Sequence, residues 1–317
     1  MLKLIFFNTF FGMALLGHAS ICFAGTDVSH RLERFIAKTD TVASSGKPTR
    51  EKAAIIDAAY SASFAADPSA IPDEELDAHF EATQYLMFYT LDKARLPLFE
   101  QIVERLNLAG KATPEHHKKL MQAYFALREF NKANAFAERH GRDIPQYRPI
   151  VAQVRSGPLV KRTAWIFQGQ GGLTRRELNL DKGRHLVMIA SPYCHFARAA
   201  LTAIEDNPTL APLLASRITV MAMNDFSFDY AHYAAWNQAH PSLPFTLTHD
   251  RDEWPEVSHW VSPVFLFFRD GRLESQFSGW PKEGNMDKIV AGFHITFPDD
   301  MLTRQADQAS QASPAPR

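Results

Sequence analysis

Five stretches of the N-terminal half, residues 27–44, 49–66, 73–91, 95–109 and 114–140, repeat their apolar residues at helical spacing and hold few β-branched positions. Every break between them carries a turn or capping signal: Gly46-Lys47-Pro48, Asp67-Pro68, Ile71-Pro72-Asp73, Arg95-Leu96-Pro97 and Gly110-Lys111-Ala112-Thr113-Pro114. Short connections predict antiparallel hairpins in an all-α region. Beyond residue 160 the pattern changes to short apolar runs. Residues 163–167 and 173–180 flank the turn Gly169-Gln170-Gly171-Gly172 and predict a hairpin. An apolar strand is predicted to open the stretch 184–197, others at 217–223 and 245–250 and after Pro263 through Phe268, with a further strand at 273–279 after the turn Arg269-Asp270-Gly271-Arg272. Helices are predicted at 195–206, 228–239 and 285–293 between and after them. Strands alternating with helices predict an α/β sheet.

The N-terminus reads as a targeting segment. Met1-Leu2-Lys3 precedes an apolar run through Phe23, the charged head and apolar body of a signal peptide, with cleavage expected after Ala24. Asn8, Thr9, Gly12 and Gly17-His18 interrupt the run, which disfavours a retained membrane span. Ile21, bulky just before Cys22, makes a lipoprotein the less favoured reading, though Cys22 itself keeps that option open. The mature chain is therefore expected in the periplasm or secreted, with no membrane span. About 290 residues remain, enough for two domains. The expected division is a signal peptide at 1–24, an all-α helical domain at 25–145, a linker at 146–160, an α/β domain at 161–298 and a disordered tail at 299–317, rich in Gln, Ser, Ala and Pro. A net charge of −1 and a pI near 6.9, with no basic stripe, argue against a nucleic-acid partner. Leu120, Tyr124, Ala133 and Pro145 fall at the spacing used by tetratricopeptide repeats, so 114–145 resembles one such hairpin; Met121 and His140 depart from its small-residue positions. A protein partner for this domain is the alternative to plain helical packing.

Candidate chemistry centres on Cys194. Removing the leader takes Cys22 with it and leaves a chain that cannot form an internal disulfide, so Cys194 is either a buried filler or a thiol used with partners. Its place is telling: residues 184–197 run from an apolar strand through Ser191-Pro192-Tyr193-Cys194 into a helix. A cysteine at a helix start meets unpaired N–H groups and the positive end of the macrodipole, which favour thiolate over thiol.

This strand, cysteine and helix resemble the active-site unit of the thioredoxin-like superfamily, with Ala197 in place of its second cysteine. Pro263 matches the family's cis-proline, followed by a β run, a turn, a last strand and Gly279; the lead-in at 176–184 is similar to TlpA-type members. An inserted helix and strand fill the longer spacing from Cys194 to Pro263. The resemblance implies a thioredoxin-like domain with a central mixed sheet. Cys194 and His195 are then the catalytic candidates, His195 helping to hold the thiolate. Tyr193, Ser262 and Pro263 are the substrate-binding ones, with Trp280, Trp260 and Phe196 as further candidates for an apolar rim. Met188 stands where the family's thioredoxin branch keeps a buried acid that assists the resolving thiol. The function so implied is monothiol disulfide exchange with a protein or small-thiol partner, without a cofactor or metal. The alternative is a non-enzymatic binding protein that keeps the scaffold and its peptide groove.

Other readings are weaker. Ser191-Pro192-Tyr193-Cys194 echoes a peroxidase motif, but Val187 replaces the proline that motif requires. Adjacent Cys194 and His195 cannot easily share one metal. The glycines at 169–172 lack the Gly-Lys-Ser/Thr ending of a phosphate loop. His116-His117 is expected to be solvated on a charged helix face.

Overall fold

The computed structural model describes residues 22–64, 67–144, 147–154, 162–169 and 171–294. The expected tail, and the expected leader apart from residues 22–24, lie outside the described residues. The chain forms two compact units, 1–120 and 121–317.

The first unit is all-α. Its helices are α1 (Cys22–Ser44), α2 (Thr49–Phe64), α3 (Leu76–Thr90) and α4 (Leu96–Leu108), followed by the start of α5 (Pro114–Ala126). Val28, Phe35, Ile56, Tyr60, Phe64 and Leu86 pack as one core. Within that core the Tyr60 hydroxyl meets Thr83 Oγ1 at 2.8 Å, satisfying two polar groups that burial would otherwise strand. Arg95 grips Asp57 from the turn before α4, and Arg105 donates to the carbonyls of Pro68 and Ile71. The His116-His117 pair is not solvated. His117 is 4% exposed with Nε2 2.9 Å from Asn107 Oδ1, and His116 lies against the Phe80 ring. Both faces of that helical turn are packed, which the flanking lysines conceal in the sequence.

The division between units falls inside α5, not at residue 145. Helix α6 (Phe130–His140) belongs with the sheet that follows it. Asn134 is the reason. Its amide donates to Ile150 O at 2.9 Å and accepts from Ile150 N at 3.1 Å, while Phe130 packs edge-on against Trp165. The span expected as a linker holds a strand, β1 (Val151–Val154).

The second unit continues with β2 (Thr163–Gln168), β3 (Gly172–Glu177), β4 (Arg184–Ala190), α7 (His195–Glu205), α8 (Leu210–Leu214), β5 (Ile218–Ala222), α9 (Tyr230–Ala239), β6 (Phe245–Thr248), β7 (Val264–Arg269), β8 (Arg272–Ser278) and α10 (Met286–Gly292). Eight strands make one mixed sheet in the order β1-β3-β2-β6-β5-β4-β7-β8. Strands β4, β5 and β6 run parallel; β7 lies antiparallel to β4, and β8 to β7. The β4-α7-β5 crossover followed by the β7-β8 hairpin and a closing helix is a thioredoxin-like connectivity, with α9 and β6 inserted. Asp270 and Gly271, both at positive φ, form the tight hairpin turn.

Strand β4 is central because it is apolar on both sides. Leu186, Met188 and Ala190 enter one core and Val187 and Ile189 the other, the alternation a pleated strand imposes. Helix α7 lays Ala197, Ala200, Leu201 and Ile204 on the first core, at i, i+3, i+4, i+7 spacing. Three of the strand's neighbours thus fix where its C-terminal end, and residue 194 beyond it, must lie.

Candidate functional site

Pro192 cannot continue the β4 ladder, and the chain turns there: Cys194 N donates to Ser191 O at 3.0 Å. Cys194 is the N-cap of α7, in an extended conformation (φ −84, ψ 116), and its carbonyl accepts the first helical hydrogen bond from Arg198 N. A second loop closes over it. The Ser262–Pro263 bond is cis, the Cys194 thiol donates to Ser262 O at 3.3 Å, and Ser191 N donates to Ser262 Oγ at 3.0 Å. Cys194, Ser262 and Pro263, far apart in sequence, therefore meet, with Cys194 a half-buried free thiol and Pro263 buried.

The residues that flank Cys194 and Ser262 along the chain are apolar and exposed. Tyr193 is 45% exposed, Phe196 47% and Val261 47%. Tyr193 stacks on His232 at 4.4 Å, and burial of its hydroxyl, then the charges of Asp229 and Asp225, push it up to about 12. His195 is exposed and rests on the Phe196 ring; no hydrogen bond joins it to Cys194 among the described residues. Trp280 does not join the rim. It is 6% exposed and packs on Phe265, because the chain after β8 folds back over the sheet. Ala197 and Met188 are fully buried on the sheet side.

Sequence reading missed a polar cluster behind this rim, at the C-terminal ends of β5 and β6. Arg128, at φ 59 in the α5–α6 turn, donates to three carbonyls: Thr248 at 2.8 Å, Phe125 at 2.9 Å and Met223 at 3.2 Å. Arg251 donates to Asn224 O at 2.5 Å and lies over the half-buried Trp260 ring at 5.2 Å. Between them Asp225 accepts from Ser227 N at 2.8 Å. Burial raises the Asp225 carboxyl above its ordinary value, outweighing the Ser227 hydrogen bond and the charges of Arg128 and Arg251. Desolvation likewise lowers each guanidinium to about 10. The signal available in sequence was position alone: Asn224-Asp225 and His249-Asp250-Arg251 each follow a parallel strand, where loops of open α/β sheets carry polar groups.

No family model matches the chain, and no curated protein matches it. It is similar to the solution structure of a thioredoxin candidate from Neisseria meningitidis, at 14% identity and a TM-score of 0.28, over 43% of this chain and 93% of that one. Among the described residues, no helix is long and apolar enough to cross a membrane.

Proposed function

We propose that this protein carries out disulfide exchange with Cys194 as its single working thiol. The observation that supports the reading is the half-buried sulfur at the head of α7, 3.3 Å from the carbonyl preceding Pro263. The Cys194 thiolate attacks one sulfur of a partner disulfide. A mixed disulfide forms, and the partner's other sulfur leaves as a thiolate that takes up a proton. Ala197 offers no resolving thiol, so an external thiol must attack the mixed disulfide and return Cys194 to its reduced form. Tyr193, Phe196 and Val261 would cover the apolar part of an extended peptide beside Ser262. Export to an oxidising compartment, where disulfides persist, would suit this chemistry.

The test is incubation of the native protein with oxidised glutathione, followed by intact mass. One glutathione adduct is expected on the parent and none on Cys194→Ser, with the adduct removed by added thiol. An adduct that forms only in denaturant would replace this reading with that of a non-enzymatic binding scaffold.

A further inference from the structure

The helical unit carries a cavity unrelated to the thiol. It lies between α1 and α3, has a volume of about 220 Å³, and is lined by Asp40, Gln84, Tyr85, Phe88 and Tyr89. Helix geometry explains the lining. Positions 84, 85, 88 and 89 are i, i+1, i+4 and i+5 of α3, so two adjacent columns of side chains project from one face, and Asp40 faces them from the last turns of α1. The rings lie in different planes: Phe88 is edge-on to Tyr89 at 4.9 Å, and Tyr85 is tilted 40° from Tyr89 at 6.4 Å. They form walls rather than a stack.

Phe88 is 47% exposed, although most of the surrounding residues of α3 are buried or half-buried. Asp40 takes part in no ion pair among the described residues. Its charge bears on the Tyr89 hydroxyl, which burial raises first and Asp40 and Tyr85 raise further. The cavity therefore offers aromatic faces, which attract cations through their quadrupoles, together with an anion that has no cation of its own.

We propose that this cavity binds a small quaternary ammonium ion. Charge complementarity selects a cation, and the wall selects its type. A primary ammonium carries three N–H donors and a guanidinium five, and each needs an acceptor when water is removed. The wall is mostly ring surface, and its polar groups are one carboxylate, one amide and the hydroxyls of Tyr85 and Tyr89; the three ring faces outweigh these acceptors and suit a cation that donates nothing. Size agrees. At about 30 Å³ per water, the space holds roughly seven water equivalents, the scale of choline.

Calorimetric titration of the full chain with choline tests the proposal, with 3,3-dimethyl-1-butanol as the uncharged isostere and ethanolamine as the primary amine. Choline is expected to saturate one site, and the isostere and ethanolamine to bind at least about tenfold more weakly. Asp40→Asn and Phe88→Leu, both at exposed positions and checked for unchanged circular dichroism, are each expected to weaken choline binding by about threefold to tenfold. Equal binding of the isostere, tighter binding of ethanolamine, choline binding unchanged in both variants, or no saturation below about 50 mM would each overturn it. Cys194→Ser is expected to leave choline binding unchanged, so this result and the disulfide-exchange test stand or fall separately.

Discussion

Ala197→Cys adds a second thiol at the third residue of α7, three positions after Cys194. Side chains three apart inside a helix have Cβ atoms about 5–6 Å apart, whereas a disulfide needs about 3.8 Å. The extended ψ of 116 at Cys194 closes that gap: an N-cap side chain in this conformation reaches back over the first turn toward the third helical residue. Two opposing terms follow. Ala197 is fully buried against β4, so the extra sulfur over-packs the core, at the low end of the usual range, about 1 kcal/mol. Closing a loop of about four residues restricts the unfolded chain by about 2 kcal/mol at 25 °C. The reduced variant should therefore unfold about 1 kcal/mol more easily than the parent, and the oxidised variant about 2 kcal/mol less easily than the reduced one. Urea denaturation of both redox forms, with thiol titration to confirm the bridge, measures this. Insulin reduction driven by dithiothreitol should be faster with the variant than with the parent, whose mixed disulfide waits for the external thiol. A folded variant that fails to close the bridge under oxidising conditions would refute both the helix-start geometry of Cys194 and the exchange reading built on it.

Arg128→Met removes three hydrogen bonds to carbonyls and leaves Asp225 with one guanidinium fewer, so a loss of about 3–5 kcal/mol is expected in urea denaturation. Because Arg128 holds φ 59, Arg128→Gly should be about 1 kcal/mol more stable than Arg128→Ala. Asp225 sets a pH dependence. Its carboxyl is raised in the folded state, so the native protein binds more protons than the unfolded chain above the ordinary value of 3.8, and stability falls as pH rises through that window. In Asp225→Asn the fall attributable to this group should vanish, read as a flatter denaturation midpoint against pH.

Much of the architecture was legible because it rests on local patterns. The apolar stripe of α7, the two-sided burial of β4 and the Asp270-Gly271 turn are each written in consecutive residues, and Cys194 could be placed by them, whereas Pro263 was placed by the resemblance to the thioredoxin-like superfamily. What escaped depends on contacts between distant residues. Asn134 carries no mark that its amide will cap Ile150, and so α6 reads as one more helix of the preceding series. Strand β1 is four largely exposed residues whose pairing with β3 is made by backbone, which leaves no apolar alternation to find. Trp280 reads equally as rim or core until the chain after β8 is seen to fold back. His195 has the right neighbour in sequence, yet its ring turns to Phe196, a choice between rotamers that spacing does not decide. Arg128, Asp225 and Arg251 come from three separate loops.

The Arg128 contact with Thr248 spans 120 residues. Joining ends so far apart takes about 4 kcal/mol of chain entropy, and the reward arrives only when β5 and β6 are already paired and their carbonyls in place. Such a contact is expected to form on the native side of the folding barrier. Weakening it should leave the refolding rate nearly unchanged and accelerate unfolding, so that the arginine acts as a latch on the finished sheet and sets how long the assembled unit lasts.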